Sequence, residues 1–262
     1  MIQLMRNVLS VLAASTVLAV ASAHAQAQGA DQTGDAYDIT VQIVSESRGE
    51  GSSGSSRTSY ALVERVVAVR DGGLELEFDL PGDTPPEDRA RNWQFPARVF
   101  KPVGEPFQLL NAPELQARVG TWLTNAQIPE EACGRWVFTW TAIKIECDPQ
   151  SVLGTLEIFD LRPTDTSASV EEIDPVAVRR ERAEADVTIA QMTGGAVITL
   201  ETAIEARESE QYLGTISSSY EADAAGRVTR RTVVSELQIT EANGAVERRT
   251  TTTTIERRRM AP

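Results

Sequence analysis

LGTISSSYEADAAGRVTRRTVVSELQITEANGAVERRTTTTTI, residues 213–255, reads as three long strands cut by two turns. Leu213 to Ala222 and Arg227 to Thr240 flank the turn tetrapeptide Asp223-Ala-Ala-Gly226, and Asn243-Gly244 is the dipeptide that best favours a two-residue hairpin. Thr, Val and Ile dominate between the turns, and these side chains suit a pleated surface. Strands joined by connections this short lie antiparallel, so the stretch predicts a meander. Its last strand, Val246 to Ile255, contains five consecutive threonines. Threonine brings little apolar area, and Arg248, Arg249 and Arg257 to Arg259 surround the run, which predicts an edge strand guarded by charge.

The same pattern extends toward the N-terminus. In Tyr37 to Val44, the side chains of Tyr37, Ile39, Val41 and Ile43 share one face of a strand. Ser47 to Ser56 is a Gly/Ser tract, expected to be a mobile loop. Thr58 to Val69 and Leu74 to Leu80 form a hairpin around Asp71-Gly72-Gly73. A turn at Asp71-Gly72 would set Glu64 opposite Asp79. A turn at Gly72-Gly73 sets Arg70 opposite Glu75, Val69 opposite Leu76 and Val67 opposite Phe78, and cross-strand pairing favours it.

Pro81 to Asn92 reads as a surface loop and Trp93 to Val103 as a strand. Asn111-Ala-Pro-Glu114 starts a helix, with Asn111 as N-cap and Glu114 at the capping-box position. Leu115, Val119, Trp122 and Leu123 follow at helical spacing, so a helix over 111–127 lays one face on the sheet. Leu153 to Leu161 reads as a strand after a turn capped by Asp148. Pro163 to Ser169 reads as linker, and Asp174-Pro175 opens a short solvated helix to about Ala185. Val187 to Met192 and Ala196 to Ala206 read as strands around Thr193-Gly194-Gly195.

The expected class is mainly β (α+β): long antiparallel strands in one or two curved sheets or an open half-barrel, packed against one amphipathic helix. Residues 37–162 form an N-terminal half, 163–185 a linker with a short helix, and 186–262 a C-terminal meander.

All four tryptophans and five of the six phenylalanines lie between 93 and 159, around the chain's two cysteines, Cys133 and Cys147. Bridged cysteines hold their Cα atoms within roughly 4.4–6.8 Å. Fourteen steps of strand would part them by about 45 Å and fourteen of helix by about 21 Å. A disulfide therefore requires a hairpin reversing near Thr139-Trp140-Thr141; two buried free thiols in one strand is the alternative.

The compartment decides between them. Arg6, the apolar run from Val8 to Ala21 and Ala23-His24-Ala25 make residues 1–25 a secretory signal peptide, with 26–36 a disordered lead-in. No later stretch approaches the ~20 apolar residues of a membrane helix. The expected location is the periplasm or exterior, where the disulfide forms. Cleavage after Ala25 would remove His24, the only histidine, and Arg6, taking the net charge from −13 to −14.

A mature chain without histidine or free thiol excludes Ser-His-Asp, Cys-His and His-bearing metal chemistry. No cofactor or metal is expected. The acidity disfavours nucleic acid as a partner. What remains is a non-enzymatic binding or scaffold protein of the cell envelope, holding an apolar or amphiphilic ligand lined by Trp93, Trp122, Trp136 and Trp140, with an amphiphile or an envelope protein as partner. Two alternatives stand beside it: a hydrolase of envelope polysaccharide built on a carboxylate pair from Glu64, Glu75, Glu77 and Asp79, and an assembly partner docking by a sheet edge. The bland reading of Glu75, Glu77 and Asp79 is a solvated outer face.

Overall fold

The computed structural model describes residues 31–70, 72–138, 142–162, 166–193 and 198–260. Among the described residues, eleven strands are distributed over two sheets. β1 (Ala36–Gly49), β2 (Ser52–Arg70), β3 (Gly73–Asp79), β4 (Ala97–Pro102) and β5 (Gln108–Leu109) form one flank. β6 (Trp136–Phe138) and β7 (Ala142–Lys144) form a separate small hairpin. β8 (Ser169–Glu172), β9 (Gln211–Ala222), β10 (Val228–Thr240) and β11 (Val246–Arg259) form the other flank.

The main sheet is antiparallel, open and nine strands wide, in the order β5-β4-β3-β2-β1-β11-β10-β9-β8. Its centre is the pairing of the first strand with the last, from Tyr37 opposite Arg259 to Arg48 opposite Arg248. The threonine-rich β11 is thus central, contrary to its reading as an edge, because β1 and β10 supply the apolar area and ladder partners that it lacks. The edges are β5 and β8, so docking by an edge strand at 246–258 does not apply.

Helices α1 (Pro86–Arg91), α2 (Ala112–Ala126), α3 (Ser151–Ile158), α4 (Pro175–Thr193) and α5 (Leu200–Glu205) complete the fold. α2 buries Leu115, Val119 and Leu123, and α3 buries Val152 and Leu156. These pack on Tyr37, Ile39, Val41, Leu62, Val66, Leu76 and Phe78 in one core. All these sheet residues project from a single face, called here the inner face, because directly paired residues share a side. At the opposite corner of the same face Tyr212 pairs with Ile239, and both are buried together with Ala183 of α4 and Ala203 of α5.

Several local expectations are corrected. The Gly/Ser tract is a paired hairpin, with Ser47 opposite Gly54 and Gly49 opposite Ser52. Its composition carries no strand signal, but each rung extends a ladder already set by Tyr37 to Val44. The β2–β3 turn follows the rejected register, with Arg70 opposite Gly73 and Val69 opposite Leu74. A bulge between Val66 and Ala68 then shifts the pairing, so that Glu64 faces Phe78 and the clash with Asp79 never arises. Asp71 lies outside the described residues.

Pro86–Arg91 is helical where a loop was expected, and the strand expected from Trp93 begins only at Ala97. Asn111 starts α2 without capping it. Its Oδ1 accepts from the Arg98 N–H at 2.9 Å, and its Nδ2 donates to the Pro96 carbonyl at 3.2 Å, which ties the helix to β4. The stretch expected as a strand from Leu153 is α3, in which Val152, Leu156 and Phe159 repeat at helical spacing. Asp148 does cap the preceding turn, accepting from Gln150 N at 2.9 Å. α4 runs through Val187 to Thr193, and α5 replaces much of the strand expected over 196–206, with Thr199 accepting from Thr202 N. β-Branched residues there are overridden by the helix already under way. Gly194 and Gly195 lie outside the described residues.

Residues 31–36 of the expected lead-in are ordered, Gly34 N donating to Val66 O and Val66 N to Asp35 O, both at 2.9 Å. Residues 1–30, including the whole proposed signal peptide, lie outside the described residues. The cysteine reading is borne out. Cys133 and Cys147 are bonded with Cα atoms 5.6 Å apart, and Phe138 pairs with Ala142 across the undescribed 139–141.

Two predictions follow from this packing. A chain ending at Asn243 lacks β11 and with it the seam between the flanks; far-UV circular dichroism and urea titration are expected to show no cooperative transition, and a native-like one would refute the central role of β11. At Gly214 an added Cβ would overlap the Glu236 carbonyl and Ile173, whereas Gly120 faces open space. Gly214→Ala is expected to lose about 1–3 kcal/mol and Gly120→Ala, within exposed helix, to gain about 0.5–1 kcal/mol, both read by urea unfolding.

Candidate ligand-binding face

The pairings of β1 with β2 and with β11 contain no register break, so the inner face can be followed residue by residue. Along β1 it presents Tyr37, Ile39, Val41, Ile43, Ser45 and Ser47. The first three are buried under the helices, Ile43 packs against their edge, and the serines line a surface pocket. The chemistry of a single strand thus grades from aromatic through aliphatic to hydroxyl.

β2 (Leu62, Tyr60, Thr58, Ser56) and β11 (Ile255, Thr253, Thr251) repeat the gradient, whereas β9 and β10 alternate apolar and hydroxyl side chains. One row across the sheet is Thr58, Ile43, Thr253, Val233 and Ser218; the next is Ser56, Ser45, Thr251, Ser235 and Ile216. None of these ten residues is buried. At ~4.8 Å between strands the rows are about 20 Å wide. α2 and α3 pack at one corner of the face and α4 and α5 at the opposite one, with α4 also meeting β6; the ten unburied residues between these corners are called here the open rows. Tyr60, opposite Val41, is 53% exposed at their margin.

At the hydroxyl end lies a pocket of about 410 Å³ that includes Ser45, Ser47, Ser56 and Thr251. The Ser45 and Thr251 hydroxyls share a hydrogen bond of 3.2 Å. Arg249 grips Glu247 through two contacts of 2.6 and 3.0 Å, and this hydrogen bonding holds the Glu247 carboxyl below its usual range.

At the other end of the inner face is a buried ion cluster. Glu64 is fully buried. Arg162 donates to both of its oxygens at 2.8 and 2.6 Å, and Arg257 to Oε1 at 2.7 Å. Asp31 Oδ2 accepts from the same arginines at 2.9 and 3.0 Å, so two cations meet two anions. Arg257 also lies 3.4 Å from the Tyr37 ring centroid, and the Tyr37 hydroxyl donates to Asp31 Oδ1 at 2.8 Å. Burial pushes the Asp31 carboxyl up, but Arg162 and Arg257 outweigh it and bring the pKa to about 2. Glu64 is lowered by the same contest. Burial, together with donation to the Asp31 carboxylate, raises the Tyr37 phenol to about 12.

The four carboxylates considered for hydrolysis do not converge. Glu64 points inward, while Glu75, Glu77 and Asp79 project from the outer face. That outer face is less solvated than expected. Glu75 is only 2% exposed, clamped between Arg70 and Arg98; Glu77 pairs with Arg65 at 3.3 Å and Asp79 with Arg89 at 2.7 Å. Of the tryptophans, Trp93 is buried in the core and Trp122 is half-buried against it. Neither lines the pocket. Trp136 lies on β6 opposite Lys144, and Trp140 is outside the described residues. The open rows were missed because their signal is positional: seven hydroxyl and three aliphatic side chains brought side by side only by the register of five strands.

The class defined by this arrangement is an open antiparallel sheet with α2, α3, α4 and α5 packed on one face. No family model matches the chain, and no curated protein matches it in sequence. Among solved structures it is similar over 86% of its length to one of lipovitellin that concerns lipid–protein interactions, at 8% identity and a TM-score of 0.32. It spans 25% of that chain. It is also similar over 84% of its length, and 92% of the other chain, to the YwiB protein from Bacillus subtilis, at 8% identity and a TM-score of 0.19. Neither likeness is close enough to carry an argument.

The ion cluster sets a pH dependence. Asp31 and Glu64 are depressed below their ordinary values of 3.8 and 4.5, so their contribution is complete above about pH 4.5 and is lost as the pH falls toward about 2. Tyr37 is raised, so its contribution is lost as the pH climbs from 10 toward 12. Asp31→Asn is expected to flatten the acid limb of a stability-versus-pH curve. Glu64→Gln leaves two buried guanidinium groups undercompensated and is expected to lose about 3–5 kcal/mol at pH 7; an unchanged urea midpoint would show that the cluster does not hold the sheet.

Proposed function

We propose that the protein is an exported, non-enzymatic binding protein of the cell envelope that holds an amphiphile on the open rows of its inner sheet face. The observation that carries this reading is the gradient along β1, β2 and β11 of that face, with apolar and hydroxyl side chains alternating on β9 and β10 beside it. Ile43, Val233, Ile216 and Tyr60 offer apolar contact outside the packed core, and the hydroxyls of Ser45, Ser56, Thr251 and Ser235 lie within one or two rungs of them. Ligand sites commonly combine apolar lining with a few polar groups, and an amphiphile uses both. Threonine suits the junction because it presents a methyl and a hydroxyl together.

Export is supported by the leader-like sequence of residues 1–25 and by the Cys133–Cys147 bond, which suits an oxidising compartment. No described helix is long and apolar enough to cross a membrane. The non-enzymatic part is supported by loss of the single histidine with that leader, by the pairing of the two cysteines and by the divergence of Glu64 from Glu75, Glu77 and Asp79.

The test is binding of a fluorescent alkyl probe to the mature, disulfide-bonded chain. A charge at Ile43→Asp or Val233→Asp would have to be desolvated beneath the alkyl chain, so each is expected to weaken binding roughly tenfold or more. Ser219→Asp, exposed on the outer face, is expected to leave binding unchanged. Equal losses at all three positions, or no binding by the wild type across an alkyl panel, would overturn the proposal.

A further inference from the structure

We infer that the polar end of the ligand is an anion and that Arg231 receives it; this rests on the amphiphile reading above. The arginines around this end of the sheet are otherwise matched. Arg230 pairs with Glu221 and Glu256, Arg258 with Glu256, Arg259 with Asp35, Arg227 with Asp223, and Arg257 with Glu64 and Asp31. Arg231 is the exception. Among the described residues no carboxylate stands within ion-pair distance of it, although the chain as a whole carries thirteen more acidic than basic side chains.

Its position gives the exception meaning. Arg231 lies opposite Ile255 on one side and Tyr220 on the other, so it projects from the inner face. Its guanidinium carbon is 5.7 Å from the Tyr220 ring centroid. Its Nε is buried without a hydrogen-bond partner, and a desolvated donor left unpaired is destabilising until a partner arrives. Four other arginines share an unpartnered Nε. Arg98 and Arg257 bind carboxylates through Nη2, Arg182 Nε lies 3.4 Å from Glu210 Oε2, and Arg179 stands over Tyr212 at the covered corner. Arg231 alone adjoins the open rows. Val233, two residues along β10, begins them, and Ile43 lies in the same row.

A guanidinium stacked on a ring presents its N–H edge to a carboxylate or phosphate. An anion held there would run its hydrocarbon chain over Val233 and Ile43. The ligand class is therefore a carboxylate or phosphate joined to an alkyl chain. Net negative charge opposes bare anions at long range, so the chain contact is required for retention.

The experiment is isothermal titration of the mature, disulfide-bonded protein with dodecanoate, dodecyl phosphate, neutral dodecyl maltoside and inorganic phosphate, each below its aggregation threshold. Both anionic amphiphiles are expected to bind more tightly than the maltoside, and the tighter of the two identifies the headgroup. R231Q is expected to weaken them roughly tenfold or more, as for the loss of a charge-assisted hydrogen bond, while leaving the maltoside unchanged. R231K, which keeps the charge, should retain part of the affinity and serves if R231Q unfolds in a urea check. If R231Q and R231K leave every affinity unchanged, or lower all equally, Arg231 is not the anchor although the amphiphile reading survives. Inorganic phosphate binding as tightly as dodecyl phosphate would also overturn the inference. No binding of any alkyl compound by the wild type removes both claims.

Discussion

The sheet depends on one non-local constraint, the register between its first long strand and its last. Ser45 and Thr251, 206 residues apart, meet in that seam. Five threonines in a row give β11 almost no chemical landmark, and a slip by two residues would set threonine against the same partners. The landmark is Arg257. A slip by one residue turns it to the outer face; in one direction this brings Glu256 inward beside the buried Glu64, leaving that carboxylate with one guanidinium fewer and a second carboxylate for a neighbour. A buried ion cluster is weak evidence of net stability when compared with a packed apolar core. Its value here is selection, because four segments from remote parts of the chain must all be in place before the charges balance.

The fold class was largely legible because long strands alternate and short turns carry Gly or Asn. Tyr37 to Val44, β9, β10 and β11 were readable for that reason, as was the hairpin implied by closing Cys133 on Cys147. Failures occurred where tertiary context overrode local preference. Ser47 to Ser56 has no apolar side chain to announce a strand, yet it is zipped to its neighbour. Val187 to Thr193 carries β-branched residues, yet continues a helix. The β2–β3 register turned on a bulge that sequence pairing cannot show, and the edge assignment of β11 confused low hydrophobicity with exposure.

The candidate face was less legible than the fold. Tryptophan is the obvious ligand-lining residue, but Trp93 and Trp122 serve the core. Serine and threonine at alternate places look unremarkable in one strand and become a surface only when five strands share a register. The ion cluster was equally hidden. Glu64 was visible as an acidic residue in a strand, but its partners Arg162 and Arg257, and Asp31 which shares them, come from remote parts of the chain.

The central place of β11 also bears on the order of events in the cell. Ribosomes deliver the N-terminal flank first, yet that flank has a naked inner edge along β1 until the fourteen residues of β11 arrive. The two halves cannot be welded early, because the balancing charge of Arg257 follows Glu64 by 193 residues. Such a polypeptide stays loose while it is being made, a condition that suits any machinery that must thread it through a narrow pore before it becomes compact.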